Sequence, residues 1–205
     1  MEVDRSVIDR CIDYWHLLCE ASSRLNVISD SAVTQGPLRH IGDSLAALVQ
    51  WSSAPSDSLL DIGSGGGLPG LPLAIARPGA ETLLLEAKEK KRDWLVATIN
   101  KLGLQDRVTV TSGRIEKWRL SDLEEFETVT ARAVAPPLKL FTWVLPALGQ
   151  ASQLLLWHSP QQKDEIIHAL GNRFGGRLFE LKHTLSYTYK SINFSSHISS
   201  VSEAH

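Results

Sequence analysis

Asp61, Gly63, Gly65 and Gly67 alternate along the chain, and Glu86 follows about 20 residues later. Glycines in such a turn let a backbone come close to a ligand. A carboxylate at the end of the next strand can accept both hydroxyls of a ribose. Three ligands compete for this pattern. A phosphate-cradling loop needs Lys and then Ser or Thr after its last glycine, whereas Gly70 is followed by Leu71 and Pro72. A dinucleotide fingerprint fits in neither register: begun at Gly65 it starts too far past Asp61, and begun at Gly63 it meets Leu68 where its third glycine belongs. A turn around the amino-acid tail of S-adenosylmethionine fits better, because that ligand has no pyrophosphate and its amino group favours a nearby acid such as Asp61. Taken singly, each feature also reads as an ordinary strand–helix turn or a surface glutamate. Their order and spacing together favour a nucleoside site.

Strand and helix patterns supply the elements that hold these residues. Leu59, Leu60 and Ile62 make a short buried strand near 58–62, and Pro69 and Pro72 suit the first turn of a helix near 69–77. A second strand over 81–86 ends in Glu86, and the helix after it stops at Gly103. Further strands are read at 107–111, 127–131 and 153–157, with helices near 137–147 and 160–170. The segment from about Arg177 to Phe194 alternates like an antiparallel hairpin. Repeated strand–helix units predict a parallel sheet with its ligand at the carboxyl ends of strands one, two and four. Residues 1–50 form a helical extension in which Ile8, Cys11, Ile12, Trp15, Leu18 and Cys19 recur at helical spacing, with a polar connector from Ser29 to Pro37. The core spans 58–194, and the serine-rich 195–205 reads as a disordered tail.

At 205 residues and 43% apolar composition, the chain supports one substantial core, so a single domain over 1–205 is expected. A net charge of −2 excludes a protein that coats nucleic acid by bulk electrostatics, so a polyanion would meet a local patch. Cys11 and Cys19 are too far apart on one helix to bridge and read as core residues. No apolar stretch approaches a membrane span and the start lacks signal-peptide character, so a cytoplasmic protein without a membrane partner is expected; no metal and a monomeric state are separate expectations.

Residues 61–75, Asp-Ile-Gly-Ser-Gly-Gly-Gly-Leu-Pro-Gly-Leu-Pro-Leu-Ala-Ile, are joined by Arg39-His40-x-x-Asp43-Ser44-Leu45, Gly113-Arg-Ile-Glu116 and Thr130-Ala-Arg-Ala-Val-Ala-Pro136. Together, over roughly residues 20–148, these resemble the bacterial small-subunit (16S) ribosomal RNA guanine-N7 methyltransferases, the glucose-inhibited division protein B family. The resemblance implies an α/β fold of the Rossmann-like class I S-adenosylmethionine-dependent methyltransferase type: a mostly parallel seven-stranded sheet, helices on both faces and an N-terminal helical extension. It implies methyl transfer from S-adenosylmethionine to N7 of a guanine in 16S ribosomal RNA or the small-subunit particle. Cofactor contacts are implied at Gly63, Leu68, Ile115, Glu116 and Arg132. The chain departs from the family at His158-Ser159, where Lys-Gly is usual, and over Ser186–Phe194.

Guanine N7 carries an in-plane lone pair, so a transferase acting there needs alignment more than a general base. In agreement, no Asn-Pro-Pro-Tyr motif follows strand four, and no cysteine nucleophile follows strands four or five. Arg132, ending strand four, has a planar fork suited to the cofactor carboxylate or the guanine O6 edge; the plainer reading pairs it with an acid such as Glu116. Glu116 suits the adenine, or is a solvated helix-start residue. For RNA, Lys88, Lys90, Lys91 and Arg92 stand at a helix start, where the macrodipole disfavours each cation by roughly 0.3–1 kcal/mol; phosphate contact and a plain solvated face both account for them. Arg39, His40 and Arg114 extend this patch, although a lone histidine is more often structural. Trp51 and Trp118, in connectors, are candidates for stacking on a base, with core packing the plainer alternative. Competing functions are a small-molecule methyltransferase, a non-catalytic RNA-binding or assembly protein on the same fold, and, last, an NAD-dependent dehydrogenase.

Overall fold

Leu59, Leu60 and Ile62 form a strand buried on both faces, and the sheet grows outward from it. In the computed structural model, which describes residues 4–51, 58–118, 126–149, 152–174, 176, 178–189 and 194–204, this strand is β1 (Ser58–Ile62). It pairs in parallel with β2 (Glu81–Glu86) on one side. Beyond β2 lies β3 (Val108–Ser112). On the other side of β1 come β4 (Thr128–Arg132) and β5 (Gln153–His158), both parallel. An antiparallel hairpin of β6 (Phe179–Tyr189) and β7 (Phe194–Glu203) closes the sheet, giving seven strands in the order β3-β2-β1-β4-β5-β7-β6. The change of direction from β1–β2 to β4 makes a topological switch point at the carboxyl end of β1.

Alternate residues of each strand feed opposite faces. Leu60 and Ile62 join Leu85, Leu154 and Leu156 beneath α5 (Pro137–Val144) and α6 (Lys163–Leu170). On the other face, Leu84 meets α1 (Arg5–Leu25), α2 (Asp30–Leu45), α3 (Gly70–Ala76) and α4 (Glu89–Lys101). Helix α1 is amphipathic, burying Cys11, Tyr14, Trp15, Leu18 and Ala21 along one side. It is capped by Asp4, whose side chain accepts from the Ser6 amide. No helix among the described residues is long and apolar enough to cross a membrane.

Two expectations are corrected. The segment Ser29–Pro37 is not a connector: Ser29 caps α2 by accepting from the Ala32 amide, and the helix runs to Leu45 with a break at Gly36 and Pro37. The serine-rich segment after residue 194 is not a disordered tail. It is β7, hydrogen-bonded on both sides, with Ser199 and Ser200 buried beside Ile198 and Val201. Composition misled because these hydroxyls find partners inside: Ser199 meets His158 Nε2 at 2.8 Å, and Ser200 donates to Gln153 Oε1 at 3.2 Å. Residues 190–193 of the hairpin, part of the departure from the family, lie outside the described residues.

Candidate active site

The sheet register brings the chemistry-bearing positions into one row. Ile62 stands beside Leu85 and Ala131, Glu86 beside Ser112, and Arg132 beside Trp157, so the residues that follow each strand share one rim. On the β1–β2 side the rim is mostly backbone. The amides of Gly63 and Ser64 donate to the Leu85 carbonyl at 2.8 and 3.1 Å, tying the glycine turn to β2. Glu86, 7% exposed, accepts from the Gly65 amide on Oε2 at 2.8 Å and from the Lys88 amide on Oε1 at 2.7 Å. Each carboxylate oxygen keeps a further lone pair, the acceptor set that two ribose hydroxyls require.

Two glycines of the turn serve different ends. At Gly67 (φ +89) a Cβ would stand 2.6 Å from the Leu71 side chain, so this glycine lets the following helix pack. At Gly65 (φ +57) the nearest atoms to a Cβ are the Gly63 carbonyl oxygen at 3.7 Å and Lys91 Nζ at 3.9 Å. A side chain there would occupy the open crevice rather than the protein interior. That cradle, with Glu86 beside it, fits an adenosyl ligand bearing an amino-acid tail. Behind the turn, Tyr14 of α1 donates to the Gly66 carbonyl at 2.6 Å.

Asp61 takes a different place from the one its spacing suggested. It is completely buried, on the α3 side of β1, and Thr130 donates to its Oδ1 at 2.8 Å. Burial pushes its carboxyl up to about 6, against the opposing hydrogen bonds of Thr130, Ser64 and Gly70. It braces β1 to β4 from beneath the turn and does not line the crevice. Ile115 also has its side chain in the core, which leaves its backbone as the part at the rim, and Leu68 is half-buried against the N-terminal helices. Glu116 faces solvent, 3.8 Å from Arg114.

On the β4–β5 side, side chains dominate. Arg132 does not pair with Glu116. Its Nη1 lies 3.2 Å from Asp43 Oδ2, and its Nη2 donates to His40 Nδ1 at 3.3 Å, both on α2. Because a guanidinium only donates, His40 accepts on Nδ1 and is neutral. Burial, then the charge of Arg132, holds its imidazole down at about 4. The ring is stacked on Trp15, with centroids 5.7 Å apart. Trp157 Nε1 donates to the Asp43 carbonyl at 3.2 Å. The next residue after Arg132, Ala133, has φ +55, a left-handed conformation that is uncommon for alanine and turns the chain sharply at the rim. Arg39, Asp43, Arg132, Ala133, Trp157 and His158 line part of a crevice of about 330 Å³. His158, at the departure from the family, is buried there, with Nδ1 against the Ser159 carbonyl and Nε2 against Ser199, each at 2.8 Å.

The expected RNA contacts divide. His40 is 7% exposed and engaged by Arg132 and Trp15, so it is corrected from a surface residue to an internal one. Arg92 donates to the Ala87 carbonyl at 2.7 Å and the Glu86 carbonyl at 3.3 Å, which accounts for it as a local brace rather than a phosphate ligand. Lys91 leans toward Gly65. Lys88, Lys90 and Arg114 are exposed, and Arg39 is half-buried at the crevice. Trp51 is buried under the Arg77 guanidinium, and Trp118 packs against Gly113, so neither is an open stacking platform. Sequence reasoning gave Asp43 no role. Its signal was an acid three positions after His40, a spacing that puts both on one face of a helix whose neighbours are apolar. Among the described residues no cluster of His, Cys, Asp or Glu could hold a metal ion.

The model of a family described as rRNA small subunit methyltransferase G (GidB) matches residues 8–174. A protein of Sorangium cellulosum named ribosomal RNA small subunit methyltransferase G is 37% identical over 169 residues, covering 82% of this chain and 70% of its own. One of the same name from Roseiflexus is 34% identical over 186 residues, covering 89% and 79%. Among solved structures, the mitomycin 7-O-methyltransferase MmcR superposes with a TM-score of 0.64 at 13% identity, over 93% of this chain and 60% of that one, a likeness of fold.

Proposed function

Since the chain belongs to the rRNA small subunit methyltransferase G (GidB) family, we propose that it transfers a methyl group from S-adenosylmethionine to N7 of a guanine in 16S ribosomal RNA. The observation that carries this reading is the shared rim: an open cradle at Gly65, a ribose-type acceptor at Glu86, and Arg132 at the border of a crevice beyond them. Gly63 and Gly65 would hold the methionine end, Glu86 the ribose, and Glu116 and the Ile115 backbone the adenine, with Leu68 a further cofactor contact beside the turn. Arg132 stands where the cofactor carboxylate and the O6 edge of a base would both be in reach.

Bound S-adenosylmethionine supplies a sulfonium methyl: the N7 lone pair forms the new N–C bond, the S–C pair stays on sulfur, and the positive charge passes to the base. No proton has to leave N7, so the protein's task is to align and to exclude water. The crevice at the ends of β4 and β5 receives the base, splayed out of its strand so that its edge can be reached. Lys88, Lys90, Arg114 and Arg39 meet the flanking phosphates, whose contacts set position rather than sequence.

The test is chemical. Ribosomal RNA from cells with and without the gene is mapped by borohydride–aniline cleavage, and the purified protein is supplied with S-adenosylmethionine and either 16S RNA or the small-subunit particle. One cleavage site lost on deletion and restored in vitro is the expected result. An unchanged pattern, with no transfer to either substrate, overturns the reading.

A further inference from the structure

Asp43 belongs to α2 and to no strand or strand-following turn, yet it reaches the rim at the ends of β4 and β5. Its side chain is 2% exposed, and it meets an Arg132 side chain that is 21% exposed, so the pair is little screened by water. Two further contacts fix the arrangement. Trp157 holds the Asp43 carbonyl, and His40, four residues before Ser44 on the same helix, takes the second nitrogen of the guanidinium and has its own backbone carbonyl held by the Ser44 hydroxyl at 2.8 Å. Arg132, Asp43 and the neutral His40 therefore form a group with no net charge at the mouth of the crevice.

We propose that Asp43 is a positioning residue for methyl transfer: through its ion pair it fixes the Arg132 guanidinium against the crevice and offsets that positive charge where the base becomes cationic. The inference rests on the reading of the crevice as the seat of the guanine. An Arg132 without its partner would oppose the charge arriving on the ring and would be free to swing. Nothing in this role asks Asp43 to take a proton, in keeping with attack by a lone pair. It also explains why helices outside the sheet belong to the active site.

The experiment compares Asp43→Asn, Arg132→Gln and the double variant with the wild type. The readouts are kcat and KM on small-subunit RNA and the Kd of S-adenosylhomocysteine by calorimetry. Removing one partner of a buried pair also destabilises, so each protein is assayed at a temperature where circular dichroism shows it folded. The double variant, which leaves no uncompensated charge, serves as the second arm. The expected result is a kcat lowered about 100-fold in Asp43→Asn, with cofactor Kd within about threefold of wild type. In the Arg132→Gln background the same change has no further effect on kcat. Wild-type kcat in Asp43→Asn, or a loss of equal size in both backgrounds, overturns the proposal. A wild-type protein that does not methylate the RNA overturns the functional reading itself, and this inference with it.

Discussion

The two halves of the rim are built by different means. On the β1–β2 side the shape comes from backbone: a glycine turn hydrogen-bonded to Leu85 and a carboxylate that accepts from two amides. On the β4–β5 side it comes from side chains that meet across long stretches of sequence: Arg132 with Asp43 and His40, and Trp157 with the Asp43 carbonyl. The first half depends on local conformation and will fail locally when changed. The second depends on α2 staying docked, so it can be weakened from a distance.

The sharpest test of the backbone half is Gly65→Val. A branched side chain at φ +57 costs about 1–2 kcal/mol and fills the cradle, so S-adenosylhomocysteine binding by calorimetry should fall more than about 100-fold while the far-UV spectrum stays native. Full-rate methyl transfer by this variant would remove the turn from the site. Glu86→Gln comes next. Hydrogen bonds to charged groups contribute roughly 1.5–3 kcal/mol, so Kd should rise about 10- to 100-fold, with a smaller change for a cofactor analogue lacking the ribose hydroxyls. Gly67→Ala should behave oppositely to Gly65→Val. Its Cβ meets Leu71, so urea unfolding should show a loss of about 1–3 kcal/mol, and cofactor affinity should change little once the protein is folded.

The smallest effect concerns pH and the side-chain half. The folded His40 is held at about 4 against 6.5 for the free group, so the unfolded chain binds the extra proton first. Stability from this site is complete above pH 6.5 and is lost as pH falls toward 4. Asp61, raised to about 6 from 3.8, acts in the opposite sense: the folded state takes up its proton first, which adds stability as pH falls from 6 toward 3.8. Urea midpoints at pH 7.5 and 5 should therefore show His40→Gln gaining on the wild type as pH falls. Parallel midpoints would mean that His40 is not held neutral.

The same contrast separates what the sequence makes legible from what only folding creates. The succession of strands and helices along the chain, the glycine turn and Glu86 follow from short-range patterns, because strand and helix periods and glycine spacing are local properties. Asp61 was placed in the mouth of the site because spacing along a strand does not say which face a residue takes. One position of alternation sends it to the α3 side, under the turn. Charge at a helix start points Arg92 to RNA and the Arg39-His40-x-x-Asp43-Ser44 resemblance points His40 there, while their partners, Arg132 and the carbonyls of Glu86 and Ala87, are contacts that only the folded chain creates. β7 was read as disordered for a related reason. Serine favours exposure on average, and its hydroxyls here are satisfied by residues from β5.

The hydroxyl of Tyr14 ties α1 to the peptide of Gly66 by a hydrogen bond, across 52 positions of sequence. On the proposed reading, the stiffness of the turn that would seat the methyl donor therefore depends partly on a helix outside the sheet. Affinity for that molecule would then respond to substitutions along α1 that loosen Tyr14, even with the glycine turn itself unchanged.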